Sequence, residues 1–377
     1  MEPSAPPLHG LKVVSVEQAV AAPYCTARLA DAGADVVKIE RPEGDFARGY
    51  DTAANGQSSY FVWLNRGKRS KVADLSTAQG KAALEALISS CDVLVQNLRH
   101  GVMERLGFGT ARLSQDYPSL IICSISGYGE SGPMVDRKAY DLLIQAESGL
   151  CSITGGPSEP SRVGVSVVDI ATGAAAYSAI LEALIRRSAT RRGAAISVSM
   201  FDVMAEWLTV PLLNHEAGNT PRRVGMAHPS IAPYGVFKTR DGEDILISIQ
   251  SDREWVKLCR AFLGREDLGE DPRFATNIAR VANRGETDAT VAAGFARFDA
   301  KQVQAALLKA DIAFATVADM ERLSRHPHLR RITIDTPNGP VSMPAPGPIL
   351  AEEKREYGAV PALGDEGGPP GNDGGKG

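Results

Sequence analysis

Two hydrophobic periods alternate through the first 130 residues, and that alternation narrows the fold more than any other feature of the chain. "LKVVSV" (11–16) reads as a buried strand, and "PYCTARLADAG" (23–33) as a helix closed by Gly33. "DVVKIE" (35–40) is a second strand and "TAQGKAALEALISSC" (77–91) a second helix. "DVLVQN" (92–97) and "SLIICSISG" (119–127) are two further strands. Strands separated by helices pair in parallel and carry helices on both faces. The expected fold class is therefore α/β, with a large doubly wound, Rossmann-like domain.

The pattern continues in "GVSVVDIATGAAAYSAILEALIRR" (164–187), where one carboxylate, Asp169, opens a helical stripe of Ile170, Ala174, Tyr177, Leu181 and Leu184. Arg186, Arg187, Arg191 and Arg192 before Gly193 suit a helix C-terminus. "AAISVSM" (194–200) reads as a strand and "FDVMAEWLTVPLLNHEAG" (201–218) as a helix. Near residue 219 a segment rich in Pro, Gly and Arg breaks the pattern. A hairpin around Asp241-Gly242 follows, then helices over 253–264 and 301–310, so residues 226–330 read as a smaller α+β domain. "DEGGPPGNDGGKG" (365–377) is too polar and Gly/Pro-rich to pack, and a disordered tail is expected.

Bulk properties exclude several classes. A formal net charge of -4 gives no general attraction to nucleic acid or to an anionic membrane. The cysteines (Cys25, Cys91, Cys123, Cys151, Cys259) are odd in number, widely spaced and without C-x-x-C, so they read as reduced core thiols. "MEPSAPPLHG" lacks a secretory pattern, and no uncharged apolar run nears the roughly 18 residues of a membrane span. A cytoplasmic location is expected. The first strand-to-helix turn, "EQAVAAPYCT", has no G-x-G-x-x-G, and P-loop, zinc and G-x-S-x-G patterns are absent, with His326 and His328 an isolated pair.

Asp169 supports two readings. Asp is a favoured helix N-cap. Yet "VGVSVV" before it is apolar or small, which predicts a partly dry carboxylate, kept ionised by the helix dipole and able to act as a nucleophile. Position alone leaves both open. Arg41, Asn97 and Arg99 stand at strand carboxyl ends, with Arg105 and Lys138 nearby. Each is individually compatible with a solvated face, but together they suit a polyanionic ligand.

"LADAGADVVKIERPEGD" (29–45), "WLNRGKRS" (63–70), "DVLVQNLRHGVMERLGF" (92–108), "SISGYGESGP" (124–133), "VVDIATG" (167–173) and "DPRFATNIARVANR" (271–284) together resemble the class III CoA-transferases. That group includes formyl-CoA and carnitine CoA-transferases, and related α-methylacyl-CoA racemases share its fold. The resemblance implies Asp169 as a covalent nucleophile that attacks an acyl-CoA thioester. It implies that Arg41 and Arg105 hold the phosphates or pantetheine arm of coenzyme A, with Asn97 and Lys138 as further contacts. Ala73 and Ser76 occupy adenine-side positions where a relative has a larger aliphatic residue and a lysine. Val20 stands where formyl-CoA transferase has a glutamine, and its glycine-rich lid is not evident, which counts against formyl-CoA as substrate. No cofactor beyond coenzyme A or its acyl ester is expected, and no metal.

Tyr140 fills the position of the racemases' catalytic histidine, and a phenol is a poor proton acceptor near neutral pH. Their glutamate is also missing from "SIQSDREW" (248–255). Transferase is thus favoured over racemase, and over an acyl-CoA-binding protein in which Asp169 only caps its helix. "GDFARGYDTAANGQSSYFVWLNRGKRS" most resembles members acting on short C4–C5 dicarboxylic acids of the succinyl, mesaconyl, itaconyl or citramalyl type. Arg48, Arg66 or Arg222 would pair with a second carboxylate. The resemblance also implies an interlocked homodimer. Its layout places a large domain over 1–210, a linker over 211–228, a small domain over 229–325, a return segment over 326–362 and the tail over 363–377.

Overall fold

Six parallel strands carry the fold. In the computed structural model, which describes residues 5–349 and 355–367, they are β1 (Lys12–Val16), β2 (Asp35–Glu40), β3 (Lys68–Val72), β4 (Val93–Gln96), β5 (Ile121–Ser126) and β6 (Ala194–Ser199). Their order is β3-β2-β1-β4-β5-β6, with every neighbouring pair parallel. The order reverses between β1 and β4, the switch point outside whose carboxyl ends doubly wound folds bind ligands.

Adjacent residues of each central strand go to opposite cores. Val13, Val36, Val93 and Ile121 pack with the helices Ala21–Asp31 and Val167–Thr190. Val14, Val37, Leu94 and Ile122 pack with Leu84, Ile88 and Leu113 on the other face. Burial on both faces is why these strands read as continuous apolar runs.

Several expectations need correction. β3, "KRSKV", was not among the expected strands: Lys68 is buried against Glu17 and Arg69 pairs with Asp35. The helix expected over 201–218 is two, Met200–Trp207 and Thr209–Glu216, because Pro211 has no N–H to offer the carbonyl of Trp207. Val167–Thr190 is long and apolar enough to cross a membrane by length and composition, although Asp169 and Glu182 leave no uncharged run of span length in it. It is a core helix, with Val168, Ala171, Ala176 and Ile180 buried.

The chain divides into two units. The first comprises the described residues up to Leu150, Arg162–Leu213 and the described residues from Arg330. The second comprises Cys151–Ser161 and Asn214–Leu329. It contains an antiparallel sheet of β7 (Tyr234–Lys238), β8 (Asp244–Ser248) and β9 (Ala313–Thr316) around Trp255, Phe262 and Phe295. A contiguous large domain over 1–210 does not describe this division. Arg223 donates to the carbonyls of Ser152, Gly156 and Pro157, and Gly225 N–H to that of Gly155, which ties 151–161 to the second unit.

The return segment forms a hairpin of β10 (Arg331–Ile334) and β11 (Val341–Pro344), whose Ile334 and Met343 pack with Phe61, Val62 and Val360. The chain then runs beside β3. Gly67 N–H donates to Ala359 O at 2.9 Å, Ser70 N–H to Asp365 O at 2.8 Å, and Lys71 pairs with Glu366 at 2.8 Å. Residues 363–367 are thus not a disordered tail, because β3 supplies backbone partners. The rest of that expectation, 368–377, lies outside the described residues.

Candidate active site

The site is built where β1 and β4 part. Gln18, just beyond β1, donates its backbone N–H to Asn97 Oδ1 at 2.9 Å, and Asn97 Nδ2 donates to the Gln18 carbonyl at 2.8 Å. A single side chain at the end of β4 grips both polar groups of one residue at the end of β1. The chain then turns through a left-handed Ala19 (φ 63°) into the helix Ala21–Asp31. That helix has no side-chain cap and no acidic residue in its first turn, so its leading N–H groups have no side-chain partner.

The helix Val167–Thr190 approaches the same turn closely. Gly173 permits this, since a Cβ there would lie 2.4 Å from the carbonyl oxygen of Ala21 and 3.0 Å from Cβ of Tyr24. One turn earlier on that helix, Asp169 lines a cavity of about 570 Å³. Gln18, Ala19, Val20, Tyr50, Tyr60, Lys138 and Tyr140 share its wall.

Asp169 does not cap its helix. Ser166 holds the cap position, and Asp169 is the third residue inside. The capping acceptor comes from Asp141, whose Oδ1 accepts the N–H of Val168 at 2.7 Å and of Asp169 at 3.2 Å. Asp141 Oδ2 accepts from Gln145 Nε2 at 2.6 Å, and Gln145 Oε1 accepts Val163 N–H at 2.9 Å. Both side chains are buried. Among the described residues, nothing hydrogen-bonds to the Asp169 carboxyl group. Burial, with the charge of Asp141 added, pushes that group up to about 7. Against the expected dipole-held anion, lost hydration and a like charge both raise the proton affinity of this carboxyl group.

An aromatic chain borders the cavity. The rings of Phe46, Tyr50, Tyr60, Trp63 and Tyr24 meet in succession at centroid distances of 5.7, 5.5, 6.5 and 5.7 Å. Burial, then the charges of Asp45 and Asp169, push the Tyr50 phenol up to about 12. Near neutral pH it is a hydroxyl, able to donate a hydrogen bond.

The other expected site residues separate into groups. Lys138 and the exposed Tyr140 line the large cavity, as does Asn97, whose carboxamide is engaged with Gln18. Arg41 and Ala73 line a smaller cavity of about 170 Å³ with Leu75, Leu98 and Leu106, and Arg41 Nε donates to Gly44 O at 3.0 Å. Arg105 is exposed and lies in neither wall. Ser76 is also exposed and outside both, its hydroxyl donating to Asp74 Oδ1 at 2.7 Å. Of the arginines weighed for a second carboxylate, Arg48 forks onto Glu40 and Arg66 onto the buried Asp31, while Arg222 belongs to the second unit. Asp141, Tyr50, Tyr60 and Arg162 are site residues that sequence reasoning missed. Only Asp141 carried a signal, an acidic residue opening a helical run. Among the described residues, no group of three or more His, Cys, Asp or Glu side chains is placed to hold a metal.

Comparison with known proteins adds to this geometry. The model of CoA-transferase family III matches residues 8–366. The succinate–glutarate CoA-transferase of Agrobacterium fabrum is 33% identical over 362 residues, covering 92% of this chain and 90% of that protein. The succinyl-CoA:mesaconate CoA-transferase of Haloarcula hispanica is 32% identical over 382 residues, covering 93% and 95%. A CaiB/BaiF family protein of known structure from Brucella suis is 34% identical, with a TM-score of 0.82 over 96% of this chain and 97% of its own. With sequence and fold matching over nearly the whole length, the chain belongs to CoA-transferase family III and is a CoA-transferase.

Proposed function

We propose that the enzyme moves CoA from an acyl-CoA to a carboxylic acid through covalent intermediates on Asp169, with short C4–C5 dicarboxylic acids as its substrates. The observation that carries this reading is the state of that side chain. Asp169 borders the cavity with a carboxyl group that no described residue hydrogen-bonds, while Asp141 does the capping that would otherwise occupy it.

The ionised Asp169 attacks the thioester carbonyl, the C–S bond breaks, and CoA thiolate leaves a mixed anhydride. The thiolate then attacks the aspartyl carbonyl, which frees the donor acid and gives an aspartyl-CoA thioester. The acceptor carboxylate attacks that thioester, forming a second anhydride and releasing thiolate again. Thiolate attack on the acceptor acyl carbon gives the new acyl-CoA and restores the Asp169 carboxylate. No net proton or phosphate is consumed. The leading N–H groups beyond Ala19 and the Tyr50 hydroxyl are the donors available to the oxyanions.

The dicarboxylate assignment is supported by relatives named for succinate, glutarate and mesaconate, and by cationic Arg99, Arg137, Lys138 and Arg162 in the cavity wall. A homodimer is supported by the uncovered apolar side chains of Trp207, Val210, Leu212 and Leu213, 60%, 67%, 49% and 59% exposed. Light scattering at twice the chain mass would agree with it.

The deciding experiment incubates the protein with succinyl-CoA and hydroxylamine and reads the mass of the Asp169 peptide, beside a panel of acids and CoA esters. A hydroxamate on that peptide and preference for dicarboxylates are expected. No adduct together with full activity in Asp169→Ala overturns the mechanism. Exchange of monocarboxylates alone overturns the substrate class.

A further inference from the structure

Beneath the turn that borders Asp169 lies a group of buried charges that the transfer chemistry does not use. Lys38 is fully buried; its Nζ donates to Asp45 Oδ2 at 2.6 Å and to Asn65 Oδ1 at 3.2 Å, and lies 3.8 Å from Glu17 Oε1. Glu17 is held in turn by Lys68 at 2.7 Å and by the hydroxyl of Thr26 at 2.6 Å. Glu40 fixes the backbone of Asp45 by accepting its N–H at 2.9 Å. Asp45 is therefore held on its charged side by Lys38 and on its backbone by Glu40.

Its remaining oxygen does something specific. Asp45 Oδ1 accepts the N–H of Ala19 at 3.2 Å and of Ala47 at 2.9 Å. Ala19 is an L residue at φ 63°, a conformation that favours glycine. A non-glycine residue stays there only when its surroundings hold it. Two side chains do so here: Asn97 grips Gln18, and Asp45 takes the N–H of Ala19. The φ of Ala19 sets where the next N–H groups stand at the wall shared with Asp169.

We infer that Asp45, fixed by Lys38, is a positioning residue that holds Ala19 in its left-handed conformation and so aims the Gln18–Val20 turn at the reacting acyl group. The inference rests on Asp169 being the nucleophile. It makes the rate of transfer, rather than the binding of CoA, depend on a charge pair outside the wall of the Asp169 cavity.

The test compares Asp45→Ala, Ala19→Gly, the double variant and Ala19→Val, with Asp169→Ala in parallel. It reads kcat, the dissociation constant of free CoA and the thermal midpoint. Asp45→Ala is expected to lower kcat at least tenfold and to change CoA binding less than threefold. In the double variant, glycine adopts the left-handed turn without the clamp. It should recover a severalfold part of kcat, while the midpoint stays low because Lys38 remains without its carboxylate. Ala19→Val, which leaves the charges intact, should lower kcat as Asp45→Ala does, and it decides the question if Asp45→Ala does not fold. Unchanged kcat in Ala19→Val, or a double variant no more active than Asp45→Ala, overturns the inference. Activity retained in Asp169→Ala would instead remove the nucleophile reading on which it rests.

Discussion

Asp141 accepts the backbone N–H of Asp169 at 3.2 Å while its charge raises the proton affinity of the Asp169 side chain. One carboxylate thus anchors the backbone of Asp169 and tunes the ionisation of its side chain.

The pH dependence of turnover follows. Below pH 7, the value to which burial and Asp141 push Asp169, kcat/KM is expected to rise about tenfold per unit as the nucleophile ionises. Asp141→Asn removes the like charge and leaves the burial, so this acidic limb should move to lower pH. A pH–rate profile of both proteins checks it, and an unmoved limb would show that Asp141's charge is not felt at the nucleophile.

Asp169→Asn should trade activity for stability. Loss of a covalent nucleophile is expected to lower kcat by roughly three orders of magnitude or more. Folded Asp169 binds its proton more tightly than the unfolded side chain does. The wild type therefore loses stability as pH rises from about 4, its unfolded value, towards 7. The variant lacks that loss, so its thermal midpoint relative to wild type should be higher at pH 8 than at pH 5. Scanning calorimetry at the two values measures the difference.

Asn97 on one side, and Arg105 and Lys138 on the other, test architecture against the proposed contacts to acyl-CoA. Asn97→Ala removes both bonds to Gln18, at about 0.5–1.5 kcal/mol each. Arg105→Ala and Lys138→Ala remove exposed side chains and should leave unfolding free energy within about 0.5 kcal/mol, while raising KM for acyl-CoA. Urea unfolding beside steady-state kinetics distinguishes the two behaviours.

Gly173→Ala tests the helix approach. Alanine gains about 1 kcal/mol in intrinsic helix preference. Its Cβ would meet the Ala21 carbonyl at 2.4 Å, backbone that must move, and overpacking of this kind costs about 1–3 kcal/mol. The clash is expected to win. Both the thermal midpoint and kcat should fall, since the displaced helix carries Asp169.

Much of this was legible in the sequence, and the exceptions have physical causes. β1, β2, β4 and β5 announced themselves because alternate residues enter two cores, and β6 by the apolar face that Ile196 and Val198 give to the first of them. β3 did not, since "KRSKV" carries three cations and its burial depends on Glu17 and Asp35, far away in sequence. Asp169 was visible as a carboxylate opening a helix. Its freedom from capping was not, because the substitute, Asp141, lies 28 residues earlier. Residues 151–161 join the second unit through Arg223 and Gly225, a pairing with no local pattern.

The strip of chain along β3 bears on biosynthesis. All six parallel strands have been synthesised once Ser199 is added, but the outer margin of the sheet gains its covering only with Ala359 and Asp365. Until then a strand edge with unpaired backbone groups is open to any other nascent polypeptide. That edge stays open throughout the translation of Asn214–Leu329.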